Sequence, residues 1–191
     1  SNESAEKPSA ASSDTVAKDS SPATTAAAGS RDNTPVVLTG SADGTVTYGN
    51  DSVTVDASHT EEGYLMVSYS GSNSKVKLQI TGSDEITYTY NLHDGYETFP
   101  LTSGSGSYTV GVFENIEGTS YSTLFTQAID VTIQDEFGPY LYANQYVNFS
   151  ADSKVISKAM ELSASANDDL EVIENVYNYI ITNFTYDYDK A

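Results

Sequence analysis

Two histidines, His59 and His93, and four adjacent carboxylate pairs (Glu61-Glu62, Asp84-Glu85, Asp135-Glu136 and Asp168-Asp169) are the side chains best suited to proton transfer in this sequence. A nucleophilic mechanism needs a thiol or hydroxyl activated by an imidazole, which a third group orients. The chain contains no cysteine. That excludes a thiolate nucleophile, thiolate metal sites and disulfides within it. A serine could substitute, but both histidines fall in turns rich in acid (Glu61, Glu62, Asp94), the setting of a solvated loop histidine. Glycosidase chemistry requires two carboxylates held ~5–10 Å apart across a cleft. Neighbouring residues in turns do not supply that, and helix capping accounts for Asp168-Asp169. No G-x-G-x-x-G, P-loop or H-E-x-x-H pattern is present, and Gly104-Ser105-Gly106 reads as a hairpin turn. The sequence therefore predicts no catalytic, cofactor-binding or metal-ligating set in this chain.

The charge balance narrows the partners. Eight basic and 27 acidic side chains give a formal net charge of −19, and no Lys or Arg falls between Lys77 and Lys154. Such a surface repels phosphate backbones, which argues against nucleic acid. Anionic membrane surfaces are disfavoured for the same reason. Acidity of this kind serves solubility. The other reading, cation binding, lacks a D-x-D-x-D-G calcium loop, and Asp43-Gly44 reads as an ordinary turn. No apolar run approaches the ~20 residues that span a bilayer, so direct membrane insertion is not expected. No tripartite signal opens the chain, and a first residue of Ser rather than Met points to a processed product.

Composition divides the chain into three. Residues 1–35 are rich in Ser, Ala, Thr and Asp, with Val16 the only large apolar side chain, and predict a disordered tether that has too little to bury. From residue 36 to 136 the apolar pattern has period two. Val76, Leu78 and Ile80 alternate with lysines and Gln79, and Ile86, Tyr88 and Tyr90 alternate with Thr87 and Thr89. Tyr108, Val110 and Val112 continue the pattern, as do Phe125, Ile129, Val131 and Ile133. Turn signals separate the runs at Gly49-Asn50-Asp51, Gly71-Ser72-Asn73, Gly82-Ser83-Asp84, Asp94-Gly95 and Glu117-Gly118. About eight short strands at ~8–12-residue spacing predict an antiparallel, immunoglobulin-like β-sandwich without the Cys-Trp-Cys core of antibody domains. Tyr88 and Tyr90, on one strand face with Ile86, are expected to be core or half-buried, with their hydroxyls at the rim. Pro139 cannot donate to a ladder, so a domain boundary is expected at residue 137.

Residues 137–191 predict a linker and two helices. The first enters at Ser150-Ala151-Asp152 and carries Val155, Ile156, Ala159, Met160 and Leu162. The second is capped by Asn167 or a neighbour and carries Leu170, Ile173, Val176, Tyr177, Ile180, Ile181 and Phe184 on one broad face. An amphipathic helix must bury its stripe, and little sequence follows to cover it. Tyr140, Tyr142 and Tyr146 form a possible contact surface, either an exposed aromatic face for a glycan or peptide or the glue between sandwich and helices.

The closing run Tyr177-Asn178-Tyr179-Ile180-Ile181-Thr182-Asn183-Phe184-Thr185-Tyr186-Asp187 resembles the N-terminal edge of bacterial transglutaminase-like domains, the papain-related Cys-His-Asp fold. There a helix of this form leads towards a Gly-x-Cys segment that carries the nucleophile. The resemblance covers about 40 of the 191 residues. It implies a mainly β chain whose two α-helices begin a truncated transglutaminase-like α+β domain, with the Cys, His and Asp of the parent lying further on. The chain itself would then be an inactive accessory region that positions the enzyme or its substrate. The resemblance also implies export to the bacterial surface or exterior, a protein or cell-wall substrate as partner, and a monomer without cofactor. The alternative is a complete, non-enzymatic adhesion or glycan-binding module.

Overall fold

Alternating apolar residues can form strands only if a second layer covers the apolar face, and here two sheets cover each other. The structure, a computed structural model, describes residues 31–190. The tether expected over residues 1–35 therefore lies outside the described residues as far as Ser30. Among the described residues the strands are β1 (Thr47–Gly49), β2 (Val53–Asp56), β3 (Tyr64–Tyr69), β4 (Val76–Thr81), β5 (Thr87–Leu92), β6 (Gly95–Pro100), β7 (Gly106–Glu117) and β8 (Ser120–Val131), followed by helices α1 (Lys154–Ser163) and α2 (Asp169–Asn183).

One sheet has the order β1-β2-β3-β6 and the other β5-β4-β7-β8, with antiparallel pairing throughout. The chain crosses between sheets after β3, after β5 and again after β6. As a result β3 pairs with β6 and β4 with β7, matching the B–E and C–F pairings of an immunoglobulin-like sandwich. The chain is thus mainly β, with its helices at the C-terminal end. Val53, Val55, Leu65, Val67 and Phe99 from one sheet meet Val76, Leu78, Ile80, Val110 and Val112 from the other in a single buried core. Tyr69 on β3 donates its hydroxyl to the Glu114 carboxylate on β7, which ties the two sheets together at one end.

The corner between β6 and β7 is built on Tyr108. Its ring is 1% exposed, and its hydroxyl donates to the Gly104 carbonyl at 2.7 Å. Gly104 has φ +73, a left-handed conformation that costs glycine little. A tyrosine near the start of the F-like strand bonding a few residues upstream is the tyrosine corner of immunoglobulin-like sandwiches. Two residues on, where antibody domains place a cysteine, Val110 fills the core instead.

Expectation and structure part at three places. Ile86, Tyr88 and Tyr90 do share a face, but only Tyr90 is buried. Tyr88 sits towards the start of edge strand β5, and Ile86 precedes its first paired residue, so both remain exposed. The α1 entry lies slightly later than expected. Ser153 is the N-cap, and its hydroxyl accepts from the Ser150 amide at 2.8 Å rather than capping the helix. Asp168 caps α2, accepting from the Glu171 amide at 2.9 Å, while Glu171 reaches back to the Asn167 amide at 2.7 Å. Such reciprocal bonding satisfies amides that a helix start leaves open. Lastly, residues 31–35 lie against the helices rather than behaving as tether. Arg31 Nε bonds Asp169 Oδ1 at 2.7 Å, and the Asn33 amide donates to the Ala166 carbonyl at 3.0 Å.

Removing the Tyr108 hydroxyl tests the corner. Tyr108→Phe keeps the ring and loses one hydrogen bond, so denaturant unfolding should show a loss of about 1 kcal/mol. Leu78→Ala opens a cavity in the same core and should cost about 2–5 kcal/mol.

Candidate functional site

The segment after β8 is bound to the sandwich along its length. The Gln134 amide donates to the Glu61 carbonyl at 2.9 Å. Pro139, in a single 3₁₀ turn spanning Gly138–Tyr140, packs so closely on Gly63 that no side chain would fit there. Gly63 also has φ +89, so shape and backbone both select glycine. The Tyr142 ring lies 4.4 Å from that of Tyr64 on β3. Burial, followed by the Tyr64 and Glu62 neighbours, raises the Tyr142 phenol above its ordinary pKa.

Further on, the same segment covers an edge. Gln145 Nε2 donates to the Asn91 carbonyl at 2.7 Å and to Glu97 at 3.0 Å, and the Tyr146 hydroxyl donates to the Thr89 carbonyl at 3.2 Å. Thr89 and Asn91 are alternate residues of edge strand β5, so two side chains supply donors where a neighbouring strand would have stood. The three tyrosines do not form one exposed binding face. Tyr142 is half-buried against β3, and Tyr146 stacks near Tyr90 at 5.4 Å while staying 70% exposed. Tyr140, 65% exposed, lines a groove of about 610 Å³ with Asp135, Glu136, Phe137 and Ser105. Tyr142 and Tyr146 act as glue, but they fasten the linker to the sandwich rather than the sandwich to the helices.

The two histidines differ. His93 is a loop residue, 66% exposed, that pairs with Glu97 at 3.0 Å. His59 is only 20% exposed and stacks on Tyr64 with ring centroids 5.3 Å apart. Its Nδ1 lies 3.1 Å from Glu62 Oε2, while its Nε2 faces both Ser41 Oγ at 3.2 Å and Asp43 Oδ2 at 2.9 Å. A solvated turn residue was expected, and the structure corrects this to a half-buried, doubly paired one. The signal missed was Asp43, 16 positions away in sequence, which the Gly44 turn brings back. Asp56 holds that turn by accepting from the Gly44 amide at 2.6 Å and the Ser58 amide at 2.9 Å.

Serine, histidine and glutamate in this order have the outline of a hydrolytic triad, but the electrostatics oppose it. A general base needs one ring nitrogen free of its proton. Burial alone would lower the His59 pKa, yet the hydrogen bonds to Glu62 and then Asp43, with their charges, outweigh it and raise the value. A carboxylate at each nitrogen favours the imidazolium, which cannot take the Ser41 proton. The cluster is an ionic clasp that joins residues 41–43 to the β2–β3 turn.

Three of the four carboxylate pairs serve the backbone, while Glu62 pairs with His59 and Glu61 accepts from the Gln134 side chain. Asp84 accepts from the Ile86 amide at 3.1 Å, Asp135 from the Phe137 amide at 3.0 Å, and Asp168 caps α2. Among the described residues no group of three or more His, Cys, Asp or Glu is placed to hold a metal ion, and no helix is long and apolar enough to cross a membrane. The chain matches no family model, no curated protein and no solved structure.

The clasp predicts a pH dependence with a definite sign. A folded-state pKa above the unfolded value of 6.5 gives stability that is complete below the unfolded value and lost as pH rises through the folded one. The melting temperature should therefore fall as the pH rises above about 6.5. His59→Gln should flatten the profile across that range, as thermal unfolding at several pH values would show.

Proposed function

We propose that this chain is the accessory, non-catalytic N-terminal region of an exported transglutaminase-like or cysteine-protease-like protein, with the sandwich positioning the enzyme domain or its substrate. One observation carries the reading. Most of the apolar face of α2 is open, with exposures from 50% at Ile180 through 62% at Ile173 to 75% at Leu170. An isolated helix of this length is marginal in water, and helices owe most of their stability to burying such a face. α1 contributes a partner along one side, where the Asn175 amide donates to the Leu162 carbonyl at 2.9 Å. Val155 and Met160 on α1 are exposed as well. A hairpin with this much uncovered apolar surface fits the edge of a larger core.

The helix pattern that resembles transglutaminase-like domains names the core that would cover it. In that arrangement the thiol, imidazole and carboxylate would come from residues beyond α2, and the sandwich, with its linker bound along β3 and β5, would be a rigid support. The absence of cysteine from this chain agrees with a non-catalytic role for it.

The coding sequence beyond Ala191 tests the proposal. A Gly-x-Cys segment with a His and an Asp further on is the expected finding, and a stop codon directly after Ala191 would overturn it. In the parent protein the amides of residues 169–183 should exchange at least about tenfold more slowly than in the 191-residue chain, because their face becomes covered.

A further inference from the structure

We propose that the outer face of the β5-β4-β7-β8 sheet is a binding face for a neutral polysaccharide. The pairing registers assemble it in three cross-strand rows. Thr87, Thr81, Thr109 and Ala128 form the first, and Thr89, Gln79, Gly111 and Thr126 the second. Asn91, Lys77, Phe113 and Thr123 form the third. Each of these residues alternates with one that faces the core, so all point away from it.

Composition sets this face apart. The protein has 27 acidic side chains, yet none occupies these positions, where six threonines and two amides predominate. The one charge in these rows, the Lys77 ammonium, sits over the Tyr121 ring, 4.8 Å from the centroid. Phe113 lies back along its own strand: a Cβ at Gly111 would come within 2.8 Å of the ring and 3.9 Å of Thr126 Oγ1. Glycine at 111 thus lets an aromatic ring lie across the sheet among hydroxyls.

Sugars match this set of groups. A pyranose ring has a C–H face that packs on an aromatic ring, and its hydroxyls need partners able both to donate and to accept. Threonine hydroxyls do both, and Gln79 and Asn91 offer one group of each kind. Within a row, neighbouring strands place such partners ~4.8 Å apart, roughly the length of one sugar residue. Charge decides the class. A protein of net charge −19 repels anionic glycans. A cationic partner would seek carboxylates, which these three rows do not offer; the one nearby, Asp130, lies opposite Ser107 in the next row, at the rim. A neutral polymer remains. The proposal is independent of what lies beyond α2.

Retention of the 191-residue chain on insoluble cellulose, chitin and xylan tests it, with pectate as the anionic comparison. At least one neutral polymer should retain the protein. Phe113→Ala and Thr126→Glu, both on the outer face, should weaken retention by about tenfold or more, with thermal melts showing that each variant is folded. Retention on none of the neutral polymers, on pectate alone, or equally by both folded variants would overturn the proposal.

Discussion

A phenol oxygen buried in an apolar core must find an acceptor or lose the hydrogen bond it had with water. Tyr108 finds one, the Gly104 carbonyl, and that bond fixes where the chain turns from one sheet into the other. The placement of β7 follows from it, and β7 is the strand on which most else rests. It pairs with β4 and β8 along its length and supplies Val110 and Val112 to the core. It also carries Glu114 to Tyr69 and turns Gly111 and Phe113 outwards. With neither disulfide nor tryptophan, a satisfied polar group does the pinning.

The sandwich was largely legible in the sequence because its information is local. Period-two apolar runs such as Val76-Lys77-Leu78-Gln79-Ile80, broken by glycine turns, fix both strand and face. What escaped depends on pairing. Tyr88 looks the same as Tyr90 in sequence, and only the edge position of β5 leaves it uncovered. Tyr108 read as one more core aromatic, although Gly104-Ser105-Gly106 ahead of a period-two run was the available sign of a corner. The His59 clasp needed Asp43 from a distant turn, and the outer-face rows needed registers that no single strand reveals. The helix cap at Asp168 was readable to within a residue because capping spans only three residues.

The placement of charge follows a division of labour. Carboxylates gather where backbone amides lack partners: at the Gly44 turn through Asp56, at the β4–β5 turn through Asp84, after β8 through Asp135, and at the start of α2. In those places an anion is stabilised by N–H groups rather than by cations. This is how a chain with so few lysines keeps many acids without ion pairs. The exposed sheet face has no open amides of that kind, and its three central rows carry no carboxylate.

The covered edge of β5 has a consequence for assembly. Sheets extend by adding strands at their edges, and indefinite extension needs an open edge on each side. In the β5-β4-β7-β8 sheet one side is closed by Gln145 and Tyr146, so backbone pairing through the other side, at β8, ends at two molecules. The linker that fastens the helices is therefore also a chain terminator: it keeps a β-rich, threonine-faced protein from stacking into fibres through that sheet.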